Sequence, residues 1–451
     1  MKLPVNKLLW GDSSRLLKAF PSDSIDSVVT DPPYGINFLG KHWDKALPNS
    51  KIWEECLRVL KPGAFAFVFC LPRADGLYRM IRGLEEVGFN VGFTPIFWTF
   101  ASGMPKAVNM GKVIDKRLGG KSEIVGYKPH TNQDMRENSY ASPKNLGKEL
   151  LRLPIIKPVS EEGKKFEGAY ASFLPKPAVE VIIVAMKPLS EKTYIEQALK
   201  NGKGVVWFDD CKIPKTTPTI PYGGGSIGTN PNYNYGKPIE NQGRFPPNLI
   251  VQDNVLDCGR ITKSVGGNAK NNKRYSGGFK DNHYEGVKPG FGDTGDFSRY
   301  FSLDSWWEKR LLDLPEAVQK TFPFMVGKKA STKERDFGCA ALPQKFLYPK
   351  GNLLGLNMSP IRPDGSKRSP IVRRNTHKTV KPLEVISYLI TLGSRPGDIV
   401  LDPFLGSGTT AISASLLHRN WIGIEKEEEY VNIAEARLRA FTKNTQDEGS
   451  K

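Results

Sequence analysis

The chain has 451 residues, 39% of them hydrophobic, which is more than one core organises and too apolar for disorder throughout. Lys and Arg number 65 against 47 Asp and Glu, and the net charge of +18 favours a polyanionic partner, nucleic acid first, although a basic surface serving solubility alone has the same balance. The cysteines, an odd set of 5 without a Cys-x-x-Cys pair, argue against a zinc ribbon or disulfide scaffold and fit a reducing cytoplasm; no signal-peptide core opens the chain, and the longest apolar run, 64–71, is too short to span a membrane.

In chain order, a short strand is expected near 7–10, a helix over 13–20 and a strand over 25–30. A helix over 50–60 stops at Lys61-Pro62-Gly63, and the apolar run 64–71 has the pattern of a strand covered on both faces. A helix over 74–87 and a β-rich run over 91–100 continue a βαβ rhythm, the mark of a parallel sheet. The rhythm lapses over 101–174 and returns in the apolar run 179–185, a returning strand closed by Lys187-Pro188. Residues 190–370 differ in kind, with glycine- and tyrosine-rich segments at 222–226, 233–235 and 266–300, either a linker or a loop set that orders on DNA. Regular structure resumes with a helix over 382–392, a strand over 399–401, a helix over 409–418, a strand over 421–424 and a terminal helix over 428–441. The expected division is 1–100, an insert at 101–189, 190–370, 371–442 and a flexible tail at 443–451.

Asp402-Pro403-Phe404-Leu405-Gly406-Ser407-Gly408-Thr409 lies between a strand and a helix, where glycines let the backbone approach a nucleoside-like ligand. Taken alone, it is also an ordinary tight turn. Glu425, at the end of the next strand, can accept hydrogen bonds from both ribose hydroxyls. The loop has neither the Lys of a P-loop nor the three glycines of the dinucleotide fingerprint, so a zwitterionic nucleoside is preferred over a nucleotide. S-adenosylmethionine fits, with its adenosine for Glu425 and its amino and carboxylate end for the backbone of 404–408.

Asp31-Pro32-Pro33-Tyr34 follows the strand over 26–30, at the carboxyl end where active sites of open α/β sheets gather. An adenine N6 is a poor nucleophile because its lone pair is delocalised into the ring. The Asp31 carboxylate and the Pro32 carbonyl can each accept one N–H of that amine, favouring a tetrahedral nitrogen. The consecutive prolines stiffen the turn, and Tyr34 offers a face for a base that has left the duplex. A plain turn with a packed tyrosine is the structural alternative.

Together these residues resemble the amino-methylating DNA methyltransferases of the beta arrangement, in which the catalytic motif precedes the cofactor motif. The resemblance implies that Gly11-Asp12 contacts the adenine of the cofactor, a role compatible with Asp12 capping a helix. The family's His-Pro-Thr-Gln-Lys-Pro element corresponds to His377-Lys378-Thr379-Val380-Lys381-Pro382, with two substitutions, which puts Lys381 among the residues expected around the cofactor. It further implies an α/β class I SAM-dependent methyltransferase fold, Rossmann-like and mostly parallel with one antiparallel strand, for which 179–185 is the candidate, in circularly permuted motif order with a large inserted target-recognition region at 190–370. An Asp heading the catalytic motif points to adenine N6, with cytosine N4 as the alternative.

Double-stranded DNA is the implied partner. A restriction endonuclease partner or none, and a homodimer, are both compatible with the resemblance, and no membrane partner is expected. Within 190–370, Lys270, Lys273, Arg274, Tyr275, Lys280, Arg299 and Tyr300 interleave charge with aromatics, as phosphate contact and base stacking need and as a solvated loop also shows. Trp306 and Trp307 are expected in a local core. A DNA-binding relative without catalysis, or an RNA or protein methylase, are the competing classes.

Overall fold

The computed structural model describes residues 2–36, 42–100, 107–120, 123–129, 152–173, 175, 178–214, 243–251, 261–263, 294–312, 332–347, 371–377 and 379–446. Eight strands form one sheet: β1 (Lys7–Trp10), β2 (Ser27–Thr30), β3 (Phe65–Cys70), β4 (Ile96–Thr99), β5 (Val179–Met186), β6 (Leu249–Val251), β7 (Ile399–Asp402) and β8 (Asn420–Glu425), in the order β1-β8-β7-β2-β3-β5-β4-β6. All neighbours are parallel except β5, which runs against both β3 and β4. The fold is thus the mostly parallel α/β sheet with one reversed strand, and the reversed strand is the one the apolar run marked.

Alternation along β3 shows why its sequence is apolar throughout. Phe65, Phe67 and Phe69 enter one core and Ala66, Val68 and Cys70 the other, so neither face is left for water. The first face is covered by the helix α6 (Leu383–Gly393), every residue of which is buried. The opposite face is covered by α2 (Ser50–Val59), begun by the Asn49 cap, and α3 (Ala74–Glu86). The α6 face also receives Trp306 and Trp307 from α5 (Leu303–Leu312), which are buried in the main core rather than a local one.

Several expectations shift at their edges. The helix over 13–20 is a short α-turn, α1 (Ser13–Leu16), continued as a 3-10 turn at Leu17–Ala19. Residues 190–370 are not loops alone: they hold α4 (Tyr194–Asn201) and α5, and β6 extends the main sheet by pairing with β4. Ile250 and Val251 favour a strand, but three residues are too few to show periodicity, and pairing with β4 is what places β6 in the sheet. Between β7 and β8 lies α7 (Thr409–Leu416), and the last helix, α8 (Glu428–Gln446), runs beyond the expected 441 into the stretch read as a tail; 447–451 lie outside the described residues. So do Lys270, Lys273, Arg274, Tyr275 and Lys280.

The chain divides into two compact units, Met1–Ser102, Ala178–Pro349 and Arg368–Lys451 as one, and Gly103–Pro177 with Lys350–Lys367 as the other. The smaller unit contains the helix Met110–Arg117 and the antiparallel pair Glu123–Pro129 and Arg152–Lys157. Its buried Asp115 accepts hydrogen bonds from the Val159 and Ser160 amides and the Ser160 hydroxyl, tying the helix to the following turn. Among the described residues no helix is long and apolar enough to cross a membrane.

Candidate active site

Parallel strands end together, and the two chemically distinctive motifs leave the sheet side by side. β2 pairs with β7 through Leu401 and Val28, so the segment after Thr30 and the segment after Asp402 emerge at the same edge. The Thr30 hydroxyl donates to Asp402 Oδ1 at 2.6 Å, bridging the two motifs directly.

In the first motif, Asp31 Oδ1 accepts the Tyr34 hydroxyl at 2.5 Å and Oδ2 receives the Lys381 ammonium at 2.6 Å. Lys381 Nζ also lies 3.1 Å from Glu180 Oε2 and 3.3 Å from the Tyr34 oxygen, over the Phe69 ring. The cluster is largely removed from water. Burial therefore pushes the Asp31 carboxyl up, opposed by Lys381 and reinforced by Glu180, and pushes the Tyr34 phenol well above its ordinary value. Burial alone would bring Lys381 down, but the carboxylates of Asp31 and Glu180 outweigh it and hold the ammonium up.

The turn is held from the other side by Asp44, which is buried and accepts the Tyr34 amide at 2.7 Å and the Gly35 amide at 3.0 Å. Gly35 has φ +68°, a conformation costly for other residues, and a Cβ there would stand 3.0 Å from the Leu47 nitrogen. Pro32 is buried and Pro33 half-buried. Asp44 carries no motif that would have marked it. Glu180 does leave a trace in the sequence, a carboxylate inside an apolar run, which is rare unless it is paired.

In the second motif, Asp402 is buried and its oxygens meet protein donors: Thr30 and the Phe404 amide at Oδ1, the Thr410 hydroxyl at 2.6 Å on Oδ2. Burial, opposed by these bonds, leaves its carboxyl pushed up to about 6. Asp402 braces the loop between β2, β7 and α7. Glu425 Oε2 accepts the Gly406 amide at 2.7 Å and Oε1 the Glu427 amide at 2.8 Å, and burial pushes this carboxyl up to about 7.

Gly406 and Gly408 have φ +56° and +84°, and a Cβ on Gly406 would stand 2.8 Å from His377 Nε2. Phe404 leans on the Trp53 ring at 5.9 Å, and the Pro403 carbonyl accepts the Ser13 hydroxyl at 2.5 Å. Behind the loop the buried Arg437 of α8 donates to the Ser407 carbonyl at 2.6 Å and hydroxyl at 3.0 Å, and to the Thr409 hydroxyl at 3.1 Å. No local pattern announces Arg437, whose loop partners are 28–30 residues away.

β1 lies against β8, so Gly11 donates its amide to the Glu425 carbonyl at 2.9 Å and Asp12 follows at the same edge. Asp12 caps α1, accepting the Ser14 amide and hydroxyl, and these bonds hold its carboxyl below the usual range. His377 stacks on Trp43 at 6.4 Å and meets Tyr430 edge-on at 4.4 Å. The structure thus brings Asp12, Asp31, Tyr34, Lys381, the 402–409 loop and Glu425 to one edge, with Lys381 joined to Asp31 rather than to the glycine loop. Arg299 and Tyr300 form a stacked pair, the guanidinium 4.1 Å from the ring centroid.

This donor set fits a nucleoside with a charged amino-acid end. A buried carboxylate at a strand terminus can take hydroxyl hydrogens, a second carboxylate stands on the neighbouring strand's edge, and a glycine turn exposes backbone between them.

The N6/N4 methyltransferase family model, described as DNA methylase, matches residues 25–436. The type II methyltransferase M.HinfI of Haemophilus influenzae is 46% identical over 74 residues, 16% of this chain and 21% of that protein. M2.MboI of Moraxella bovis is 46% identical over 66 residues, 15% of this chain and 24% of that one. The chain thus spans less than a quarter of the length of these curated relatives in the matched segments. Among solved structures, the cytosine-N4-specific PvuII DNA methyltransferase aligns at 13% identity and TM-score 0.37 over 97% of this chain and 92% of that one. M1.HpyAVI aligns at 15% identity and TM-score 0.34 over 96% and 98%.

Proposed function

The chain belongs to the N6/N4 family of DNA methylases, and from that premise we propose that it transfers a methyl group from S-adenosylmethionine to the exocyclic N6 of adenine in duplex DNA, the base being turned out of the helix toward Asp31. The observation that carries the reading is the contact between the two motifs, with Thr30 donating to Asp402 across adjacent strands. An acceptor for an amine and a holder for a nucleoside are useful to one another only at such separations.

When bound, S-adenosylmethionine supplies a methyl group on a sulfonium sulfur. Glu425 would receive its ribose hydroxyls, Asp12 would face its adenine, and the backbone and side chains of Pro403, Phe404, Gly406, Ser407, Gly408 and Thr409 would enclose the rest, with Asp402 bracing the loop. On the substrate side, Asp31 and the Pro32 carbonyl accept the amine hydrogens, Pro33 keeps the turn rigid, and Tyr34 presents its face to the base. Lys381 holds the Asp31 carboxylate in one orientation. At the level of the chain, residues 1–100 would form the catalytic half, 371–442 the cofactor half, and recognition of the DNA sequence would fall within 190–370.

Incubation with methyl-labelled S-adenosylmethionine and duplex DNA, with methylated adenine and cytosine scored separately, tests this. Label is expected on adenine N6 and is expected to fall by about 100-fold or more in Asp31→Asn, since a charged acceptor is lost. Label confined to cytosine N4 would replace the base, and incorporation unaffected by Asp31→Asn would remove Asp31 from the mechanism.

A further inference from the structure

β5 runs against its neighbours, so its first residues reach the edge where β3 ends, with Val181 opposite Cys70. Glu180 is therefore delivered to the same edge as Asp31 although the two strands have opposite direction. An ammonium has three protons to donate. Lys381 donates to Asp31 Oδ2 at 2.6 Å and to the Tyr34 oxygen at 3.3 Å, and is ion-paired with Glu180 Oε2 at 3.1 Å. Two carboxylates share one cation, in a setting where Lys381 and Glu180 side chains are only 8% and 13% exposed.

Resting on the methyltransferase reading of this site, we propose that Glu180 is a positioning residue for the transfer: by sharing Lys381 with Asp31 it prevents the ammonium from neutralising Asp31 fully, so that Asp31 stays basic enough to take the proton the amine must shed. An amine that gains a carbon substituent loses one hydrogen as a proton. The N–H bond breaks with its electron pair staying on nitrogen, an O–H bond forms on Asp31, and the proton then passes to solvent. An ammonium bound to Asp31 alone would depress the basicity of that carboxylate, and a second anion on the same ammonium counters this.

The other groups facing the cluster are Tyr34 from the turn after β2, Cys70 at the end of β3 and Asp402 at the end of β7. Burial puts the Tyr34 phenol well up and the Cys70 thiol up to about 12, outside the neutral range. Asp402, pushed up to about 6, titrates within it but is common to wild type and variant, so a difference between their profiles reports Glu180.

The test compares the full-length protein with Glu180→Gln, following kcat against pH at saturating DNA and S-adenosylmethionine, and acylation of Lys381 against pH in the cofactor-free protein by mass spectrometry. In the variant kcat is expected to fall by about tenfold or more with both KM values unchanged, the acid limb to move to lower pH, and acylation of Lys381 to begin at lower pH. Glu180→Asp, which keeps the charge at a longer reach, is expected to lie between the two and covers a Glu180→Gln that does not fold. Unchanged kcat, acid limb and acylation overturn the proposal, as does a loss confined to KM or thermal stability. Absence of transfer by the wild-type protein overturns the methyltransferase reading and this one with it, whereas transfer with an indifferent Glu180→Gln overturns this one alone.

Discussion

Glu425 carries a carboxyl whose proton leaves near neutrality, at about 7 against an ordinary 4.5, because burial disfavours the charge more than the Gly406 and Glu427 amides favour it. A carboxyl raised on folding binds its proton more tightly in the folded state. Its contribution to stability is therefore fully present below 4.5 and is lost as the pH rises from 4.5 to about 7. In the proposed cofactor role, ligand binding would run the other way, since hydroxyls donate to a carboxylate better than to a carboxylic acid. Calorimetry should show S-adenosylmethionine binding about tenfold more weakly at pH 6 than at pH 8, with most of that dependence gone in Glu425→Gln. A pH dependence that survives the substitution would place the titrating group elsewhere. Asp12 is built for the opposite duty: its Ser14 bonds keep it charged throughout that range.

The turn between β7 and α7 is an element whose backbone decides what can occupy it. Gly406 combines φ +56° with a Cβ position 2.8 Å from the His377 ring. Gly406→Ala should cost about 1–2 kcal/mol for the left-handed backbone alone and move either the ring or the loop, weakening cofactor affinity by about tenfold. A titration calorimetry value equal to wild type would mean the loop does not approach the ligand. Elements of this size were legible in the sequence wherever a period of 2 or 3.6 ran long enough: β3, β5, α2, α3 and α6 all fall within two residues or so of their patterns. The Asp31 and Gly406 motifs were legible because each needs special backbone chemistry at a strand end. What could not be read is what depends on distance: β6, three residues placed by β4; Arg437, a helix residue whose loop partners lie about one helix and one strand upstream; and Asp44, which accepts the Tyr34 and Gly35 amides. Lys381 was visible as a motif residue, but only three-dimensional neighbours tell whether it faces the cofactor or Asp31.

For the molecule as a whole, the net charge of +18 is large enough to govern how it meets a polyanion. If duplex DNA is the partner, raising salt from about 50 to about 200 mM should weaken binding by about 1,000-fold, the loss expected of a protein neutralising several phosphates. A change below about threefold in an equilibrium binding assay would show that the basic excess is spread over faces that DNA never touches.

Thr30 and Asp402 are bonded to one another yet are 372 residues apart in the chain. During synthesis, then, the ribosome releases β2 long before its companion β7 exists. The nascent half has a raw strand edge and carries Asp31 without the 402–409 loop, and closing so large a loop is slow. On the proposed function, methyl transfer would wait until the last strands are threaded beside the first, and a stalled or shortened polypeptide would be a sticky, inert fragment.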